Sequence, residues 1–107
     1  INLNSAENGG GIWASAISGT IGAVSFQNNT AENLGGAMHL SSNSDLEATD
    51  MVVINNSANR GGGISILNSV GDFVGGEINN NYAWRGGGIF SNGSDLDFFS
   101  ITLTQNN

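Results

Sequence analysis

A glycine triplet followed by an apolar residue recurs along this chain, and it constrains the fold more than any other feature. The copies are Gly9-Gly10-Gly11-Ile12, Gly35-Gly36-Ala37-Met38, Gly61-Gly62-Gly63-Ile64 and Gly86-Gly87-Gly88-Ile89. Successive copies are 26, 26 and 25 residues apart. A fixed period in this range predicts a repeat architecture, in which each unit buries its apolar face against the next.

An asparagine-rich motif recurs in phase with the glycines, as in Phe26-Gln27-Asn28-Asn29 and Val53-Ile54-Asn55-Asn56. Its first apolar residue stands at positions 1, 26, 53, 78 and 103. The repeats are therefore approximately 1–25, 26–52, 53–77 and 78–102, with the start of a fifth at 103. We interpret residues 1–107 as a single repeat segment, either an excerpt of a longer array or a unit that stacks on its own copies.

Each repeat favours short strands over helices, because glycine runs interrupt every unit and apolar residues alternate with polar ones. Ile12 and Ala14 share one face after the first glycine run, while Trp13 lies on the other. A second strand is predicted at segments such as 46–48 and a third at segments such as 51–53. Three short strands per repeat bury their apolar faces only when the repeats stack as coils. The prediction is an all-β fold, a right-handed parallel β-helix (a solenoid) of about four coils of 25–27 residues.

Stacked coils place like residues in columns. The interior columns are expected to be Ile12/Met38/Ile64/Ile89, Phe26/Val53/Ile78/Leu103 and Ala6/Ala31/Ala58/Ala83. An asparagine column is expected at a corner, in the left-handed backbone conformation and with amides bonded between coils: Asn4, Asn29, Asn56, Asn81 and Asn106. The glycines Gly10, Gly36, Gly62 and Gly87 are interpreted as structural, since no Gly-Lys-Ser/Thr sequence marks a phosphate loop.

Charge excludes some partners. The net charge is −7, and Arg60 and Arg85 are the only fixed cations. Nucleic-acid binding and direct membrane insertion are therefore not expected, since the first requires many cations and the second a long apolar segment. The two arginines share a phase in adjacent repeats and are interpreted as solvent-exposed surface charges. A cysteine-free, acidic chain rich in Asn, Ser, Thr and Gly suits an exported bacterial protein.

The pairing of Phe26-x-x-Asn29 with Gly35-Gly36-Ala37-Met38 resembles the FxxN and GGA[I/L/V] repeats of the polymorphic outer-membrane protein family. Members of that family are bacterial autotransporter passengers that fold as right-handed parallel β-helices. The resemblance implies an extracellular or cell-surface location and an adhesin-like passenger, with no cofactor.

Five residues are candidates for binding a ligand or partner. Trp13, His39 and Phe90 share an outward strip with Ser65, and Tyr82 and Trp84 lie just before Phe90. Exposed aromatic side chains stack on sugar rings or on a partner protein. The predicted partner is therefore a glycan or a cell-surface protein, and the alternative interpretation is that these rings cover one another.

A calcium site and a catalytic site have less support in the sequence. Asp45, Asp72 and Asp95 occupy similar phases and could form a calcium-binding carboxylate column, but solvated turns explain them better. No catalytic residues are predicted, because the only histidine, His39, shares its strand face with no acidic residue.

These patterns favour a non-enzymatic extracellular protein: a β-helix stalk, an adhesin-like passenger or a filament segment. The filament hypothesis rests on the match between 1–4 and 103–106, which would let one copy stack end to end on another. The alternative function is a carbohydrate-binding or polysaccharide-degrading β-helix.

Overall fold

The computed structural model describes residues 1–107 as a parallel β-solenoid of about four coils, and the predicted fold is confirmed. Its strands, in chain order, are β1 (Ser5–Asn8), β2 (Ile12–Ser15), β3 (Ser18–Gly22), β4 (Ser25–Gln27), β5 (Thr30–Leu34), β6 (Met38–Ser41), β7 (Asp45–Ile54), β8 (Ser57–Arg60), β9 (Ile64–Leu67), β10 (Val70–Asn79), β11 (Tyr82–Arg85), β12 (Ile89–Asn92), β13 (Asp95–Phe99) and β14 (Thr102–Thr104). There is no helix in the chain that has the length and apolar character to span a membrane.

The strands form three parallel sheets around one core. Sheet 1 contains β1, β5, β8 and β11, and sheet 2 contains β2, β6, β9 and β12. Sheet 3 contains β7 and β10 at its centre, β3 and β4 on one side, and β13 and β14 on the other. Coil 1 holds β1 to β4, coil 2 holds β5 to β7, coil 3 holds β8 to β10 and coil 4 holds β11 to β14.

The division of each coil into strands differs from the prediction in one respect. The strand after the glycines is sheet 2, as predicted, but the predicted second and third strands are two halves of sheet 3, which β7 and β10 cross without a break. The segments of sheet 1 were not predicted as strands. Sequences such as Ser5-Ala6-Glu7-Asn8 carry one small inward residue among polar ones, so the alternation of apolar and polar residues is too weak to detect.

The core is a continuous column of apolar side chains inside the three sheets. Phe26, Val53 and Ile78 are fully buried in one predicted column, and Met38 and Ile64 are fully buried in another. The end members of these columns are more exposed, because only one neighbouring coil covers them: Leu103 is 48% exposed. Burying such side chains contributes about 1.5–3 kcal/mol each, so the middle coils hold most of the stability.

The asparagine column runs through the corner between sheet 3 and sheet 1. The Nδ2 atom of Asn29 donates to Oδ1 of Asn56 at 3.0 Å, and the backbone N–H of Asn29 donates to the same oxygen at 2.9 Å. The same pair of bonds joins Asn4 to Asn29, Asn56 to Asn81 and Asn81 to Asn106. The column therefore supplies an acceptor for a backbone N–H at this corner between each pair of successive coils.

The left-handed backbone conformation at this corner does not belong to the column asparagines, contrary to the prediction. It belongs to the preceding residues: Leu3, Asn28, Asn55, Asn80 and Gln105, with φ between 53° and 57°. The chain thus reverses at the outer residue, where Asn is favoured because it tolerates this conformation. The inner asparagine is left in an ordinary conformation with its amide directed along the column.

Replacing the central column asparagine should be costly. We expect Asn56→Ala to lower the free energy of unfolding by about 3 kcal/mol, because the buried N–H of Asn29 loses its acceptor. Asn4→Ala, at the same position of the exposed first coil, should cost below about 1 kcal/mol. Urea unfolding of both variants measures the difference, and equal losses would contradict a role set by burial.

The second glycine of each triplet should resist substitution for a different reason. A Cβ atom on Gly62 would lie 2.6 Å from the carbonyl oxygen of Gly87 in the next coil, a backbone atom that cannot move aside. We expect Gly62→Ala to cost at least about 3 kcal/mol or to prevent folding, by analogy with overpacked cores. Gly19→Ala is the matched control, since its Cβ would meet nothing within 4 Å and should be neutral or slightly stabilising. Thermal melts of the two variants test this, and similar melting temperatures would count against the close approach.

Candidate functional site

The five candidate binding residues do not form one surface. Trp13, His39 and Phe90 lie in one outward row of sheet 2 together with Ser65, as the register of β2, β6, β9 and β12 shows. Tyr82 and Trp84 lie in β11 of sheet 1 and are 65% and 82% exposed. Trp13 belongs to coil 1 and Trp84 to coil 4, so two coils and a corner lie between them.

His39 occupies the outward row but is not available to a ligand. It is only 4% exposed and lies between Trp13 and Ser65 in the row. Its Nδ1 atom and the Oγ atom of Ser65 are both buried without a hydrogen-bond partner. Burial lowers the pKa of His39 below its ordinary value of 6.5, and a backbone hydrogen bond with Ser65 opposes this in part. The histidine therefore contributes to packing on this face in its neutral form.

Phe90 is half-buried and supports an arginine. The guanidinium carbon of Arg60 lies 5.8 Å from the centre of the Phe90 ring, so the cation crosses the glycine corner from sheet 1 to sheet 2. Such a contact stabilises an exposed pair by about 0.5–1 kcal/mol. Arg60 also pairs in register with Arg85 of the next coil. The two arginines are therefore exposed neighbours, as the shared phase predicts.

Two shallow depressions lie side by side on sheet 1, below Trp84 and beside Arg60. The larger, of about 380 Å³, is lined by Tyr82, Trp84, Asn59, Ser57, Glu32 and two alanines. The smaller, of about 290 Å³, is lined by Asn8, Asn33, Leu34, Asn59 and Arg60. Because Asn59 borders both, they form one continuous surface of aromatic, amide, hydroxyl and guanidinium groups. We call it the aromatic-arginine surface, and it consists of these two depressions with Arg85.

Sequence reasoning found the aromatic half of this surface and missed the polar half. The side chains of Ser57, Asn59 and Asn33 reach it because β8 stacks beside β11 in sheet 1 and β5 stacks beside β8. Sheet 1 was the sheet that the residue pattern did not predict. The one sequence signal that could have added polar residues to the predicted site was the equivalent position of Arg60 and Arg85 in adjacent repeats.

The candidate calcium residues are not in one column, which corrects the prediction. Asp45 and Asp95 are in register with Val70, which stands between them. Asp72 lies two positions further along and is in register with Glu47 and Asp97. The prediction failed because equal spacing in the sequence did not fix the register within sheet 3. No group of three or more Asp, Glu or His side chains is arranged to hold a metal ion.

Serines explain why the acidic turns resemble each other. The backbone N–H of Ser44 donates to Oγ of Ser69 at 3.2 Å, and that of Ser69 donates to Oγ of Ser94 at 3.2 Å. Ile17 donates in the same way to Ser44. The similarity of segments 42–47 and 91–97 therefore reflects a serine column at the corner between sheets 2 and 3. In this column the serine hydroxyl accepts a backbone N–H, as the amide oxygen does in the asparagine column.

Charge is strongly segregated among the sheets. Sheet 3 carries seven of the nine carboxylates: Asp45, Glu47, Asp50, Asp72, Glu77, Asp95 and Asp97. The two others, Glu7 and Glu32, lie in coils 1 and 2 of sheet 1, and both arginines lie in coils 3 and 4 of the same sheet. The net charge of −7 is thus located on sheet 3, while the remaining fixed charges balance.

The comparison with known families gives one match. The family model of the Chlamydia polymorphic membrane protein (Chlamydia_PMP) repeat matches residues 23–37. This segment contains Phe26, Asn29 and the Gly35-Gly36-Ala37 run, whereas the other three copies have Gly in place of Ala37. Neither the curated proteins nor the solved structures include a significant match. Together with the β-solenoid, the match confirms the resemblance: residues 23–37 are similar to the repeat of the polymorphic membrane protein family, and the fold is a β-solenoid.

The burial of His39 predicts a specific pH dependence. The unfolded chain binds a proton near pH 6.5, whereas the folded chain binds it at a lower pH. The stability that depends on neutral His39 is therefore complete above about pH 6.5 and is lost as the pH falls from there towards the folded pKa. We expect wild type to lose stability more steeply than His39→Gln on acidification, by up to about 1.4 kcal/mol per pH unit. Urea unfolding between about pH 7.5 and 5 measures this, and because both proteins share all the carboxylates, parallel profiles would refute the assignment.

Proposed function

We propose that this chain is part of a non-enzymatic bacterial surface protein, in which the β-helix forms a rigid stalk or passenger that displays a binding surface. The observation that carries the proposal is the regular stacking of the coils, with pairing in register every 25–27 residues in all three sheets. Each added coil lengthens such a rod without changing its cross-section. The repeat match supports an outer-membrane or extracellular location, because it is to a membrane-protein repeat of a bacterium.

The same stacking supports extension of the rod. The backbone groups of one coil bond to the next at every step, so a further coil of the same kind finds the same pattern of donors and acceptors. That coil can come from adjacent repeats of a longer chain or from a second copy of this one. An end-to-end filament and a long covalent stalk are both consistent with this arrangement, and both are versions of the proposed structural role.

Carbohydrate binding is the second candidate function, and the exposure of Tyr82 and Trp84 favours it. The two rings stand over a depression with Ser57 and Asn59, whose hydroxyl and amide groups can bond to sugar hydroxyls. A polysaccharide-degrading role has less support. His39 is buried, and its neighbours in the row are Trp13 and Ser65, neither of which is a carboxylate.

The structural proposal predicts that the protein is exposed at the surface of the intact cell. Antibodies against the repeat should label unpermeabilised cells of the source bacterium, and external protease should remove the label. Electron microscopy of the full-length protein should show rods whose length increases by about 4.8 Å per coil. Fibres longer than one chain would identify the filament version. Labelling only after lysis would overturn the proposal.

A further inference from the structure

We propose that the aromatic-arginine surface binds an acidic sugar, whose anionic group is held by Arg60 and Arg85 while its ring lies against Trp84. This inference rests on the proposed surface function and names the class of ligand for it. Two cations stand in register in a chain of net charge −7, and neither has an Asp or Glu in its own coil outside sheet 3.

The arginine pair is unfavourable for folding. Residues in register on adjacent parallel strands are separated by about 4.8 Å along the stack, and like charges in that position repel. Neither Arg60 nor Arg85 forms a salt bridge or a side-chain hydrogen bond within the chain. The next residue in the same column is Leu34, which is uncharged. An external anion would relieve this repulsion, because one carboxylate or sulfate can accept hydrogen bonds from two guanidinium groups.

The carboxylates are distributed so that an anion can approach the arginines. Outside sheet 3, coils 3 and 4 carry no Asp or Glu at all, so this part of the surface has a local charge of +2. The seven carboxylates of sheet 3 lie on a different side of the solenoid. A small anion can therefore approach the arginines without facing the acidic sheet, whereas a long polyanion would encounter it. This favours a short acidic saccharide over a nucleic acid.

The neighbouring side chains suit a sugar. Trp84 is 82% exposed and adjacent to Arg85, and it offers an aromatic face to the apolar side of a sugar ring. Asn59 borders both depressions, so it can bond to hydroxyls of a sugar that spans them. Arg60 is already positioned by its contact with Phe90, which reduces the entropy that binding has to remove.

Glu32 sets a limit on the ligand. It lies in coil 2, which is next to the coil of Arg60, and it lines the larger depression. A carboxylate there accepts hydrogen bonds from sugar hydroxyls but repels a second anionic group. The surface is therefore matched to a sugar with one anionic group, directed towards coils 3 and 4.

The test compares sugars that differ only in charge. The probes are cellobiose, cellobiouronic acid, in which one hydroxymethyl group is replaced by a carboxylate, and a cellobiose monosulfate, each titrated into the full-length protein by NMR. We expect at least one anionic probe to bind tenfold or more tightly than cellobiose, with the difference reduced by added salt. The better anionic probe identifies the group as carboxylate or sulfate.

Variants assign the effect to this surface. The double variant Arg60→Gln/Arg85→Gln should abolish the advantage of the anionic probes, and Trp84→Ala should weaken all probes by about tenfold, in line with the contribution of one stacked ring. Trp13→Ala is the matched aromatic control, because Trp13 is exposed on coil 1 of sheet 2. Gln27→Glu is the charge control, because it makes the protein more negative on exposed sheet 3. Neither control should change binding.

A melting curve separates binding from a structural role. The double variant loses the contact of Arg60 with Phe90 but also the like-charge repulsion, so its melting temperature should stay close to that of wild type if the pair serves a ligand. Equal affinity for neutral and anionic probes, no binding to any probe, or an anionic preference that survives the double variant would each overturn the inference. Surface labelling of the intact cell is independent of these results, so that the proposed function and its ligand can fail separately.

Discussion

The hydrogen bond from one coil to the oxygen of an asparagine side chain in the next is the interaction on which this structure depends. Strands in the three sheets pair through their backbones, and backbone bonds such as Asn28 to Ile54 continue through the turns, but the N–H of the column asparagine has a side-chain acceptor instead. At the corner before sheet 1, Oδ1 of Asn56 accepts both the backbone N–H and the side-chain N–H of Asn29. A buried donor without an acceptor costs about 1–3 kcal/mol, so a solenoid with four such corners needs this arrangement at each one. The serine column at Ser44, Ser69 and Ser94 solves the same problem at another corner with a shorter side chain.

Stacking in register has a consequence for charge as well as for packing. Whatever occupies one position of a coil lies directly against its equivalents above and below. For Phe26, Val53 and Ile78 this brings apolar groups together, but for Glu47, Asp72 and Asp97 it brings carboxylates together at the spacing of adjacent strands. These carboxylates are tolerated because they face solvent, where the repulsion is weak. The charged columns of sheet 3 lower the stability of the fold. The core and the asparagine column must therefore offset this loss.

The sequence was informative where the repeat is strict. The period of the glycines and asparagines predicted the stacking, the interior columns and the sheet that contains Met38 and Ile64, since these positions permit only one kind of residue. It was uninformative where the requirement is loose: sheet 1 needs only a small inward side chain such as Ala83, so its strands could not be recognised. The burial of His39 could not be predicted either, because an outward position in a strand becomes buried only when neighbouring side chains cover it. The register of Asp72 against Glu47 depends on how the turns between sheets 2 and 3 are built, which spacing alone does not determine.

Because identical positions stack, the residues that differ between coils carry most of the information about function. The column asparagines and the second glycines are the same in every coil and can be explained by hydrogen bonds and close backbone approach. The column that ends at Arg85 changes from Asn8 to Leu34 to Arg60, and the adjacent outward position changes from Glu7 in coil 1 to Asn59 and then Trp84. These substitutions do not improve the stacking, and the pairing of two arginines opposes it. An unfavourable pair beside the most exposed aromatic residue of the chain supports the proposal that another molecule completes the interactions of this surface.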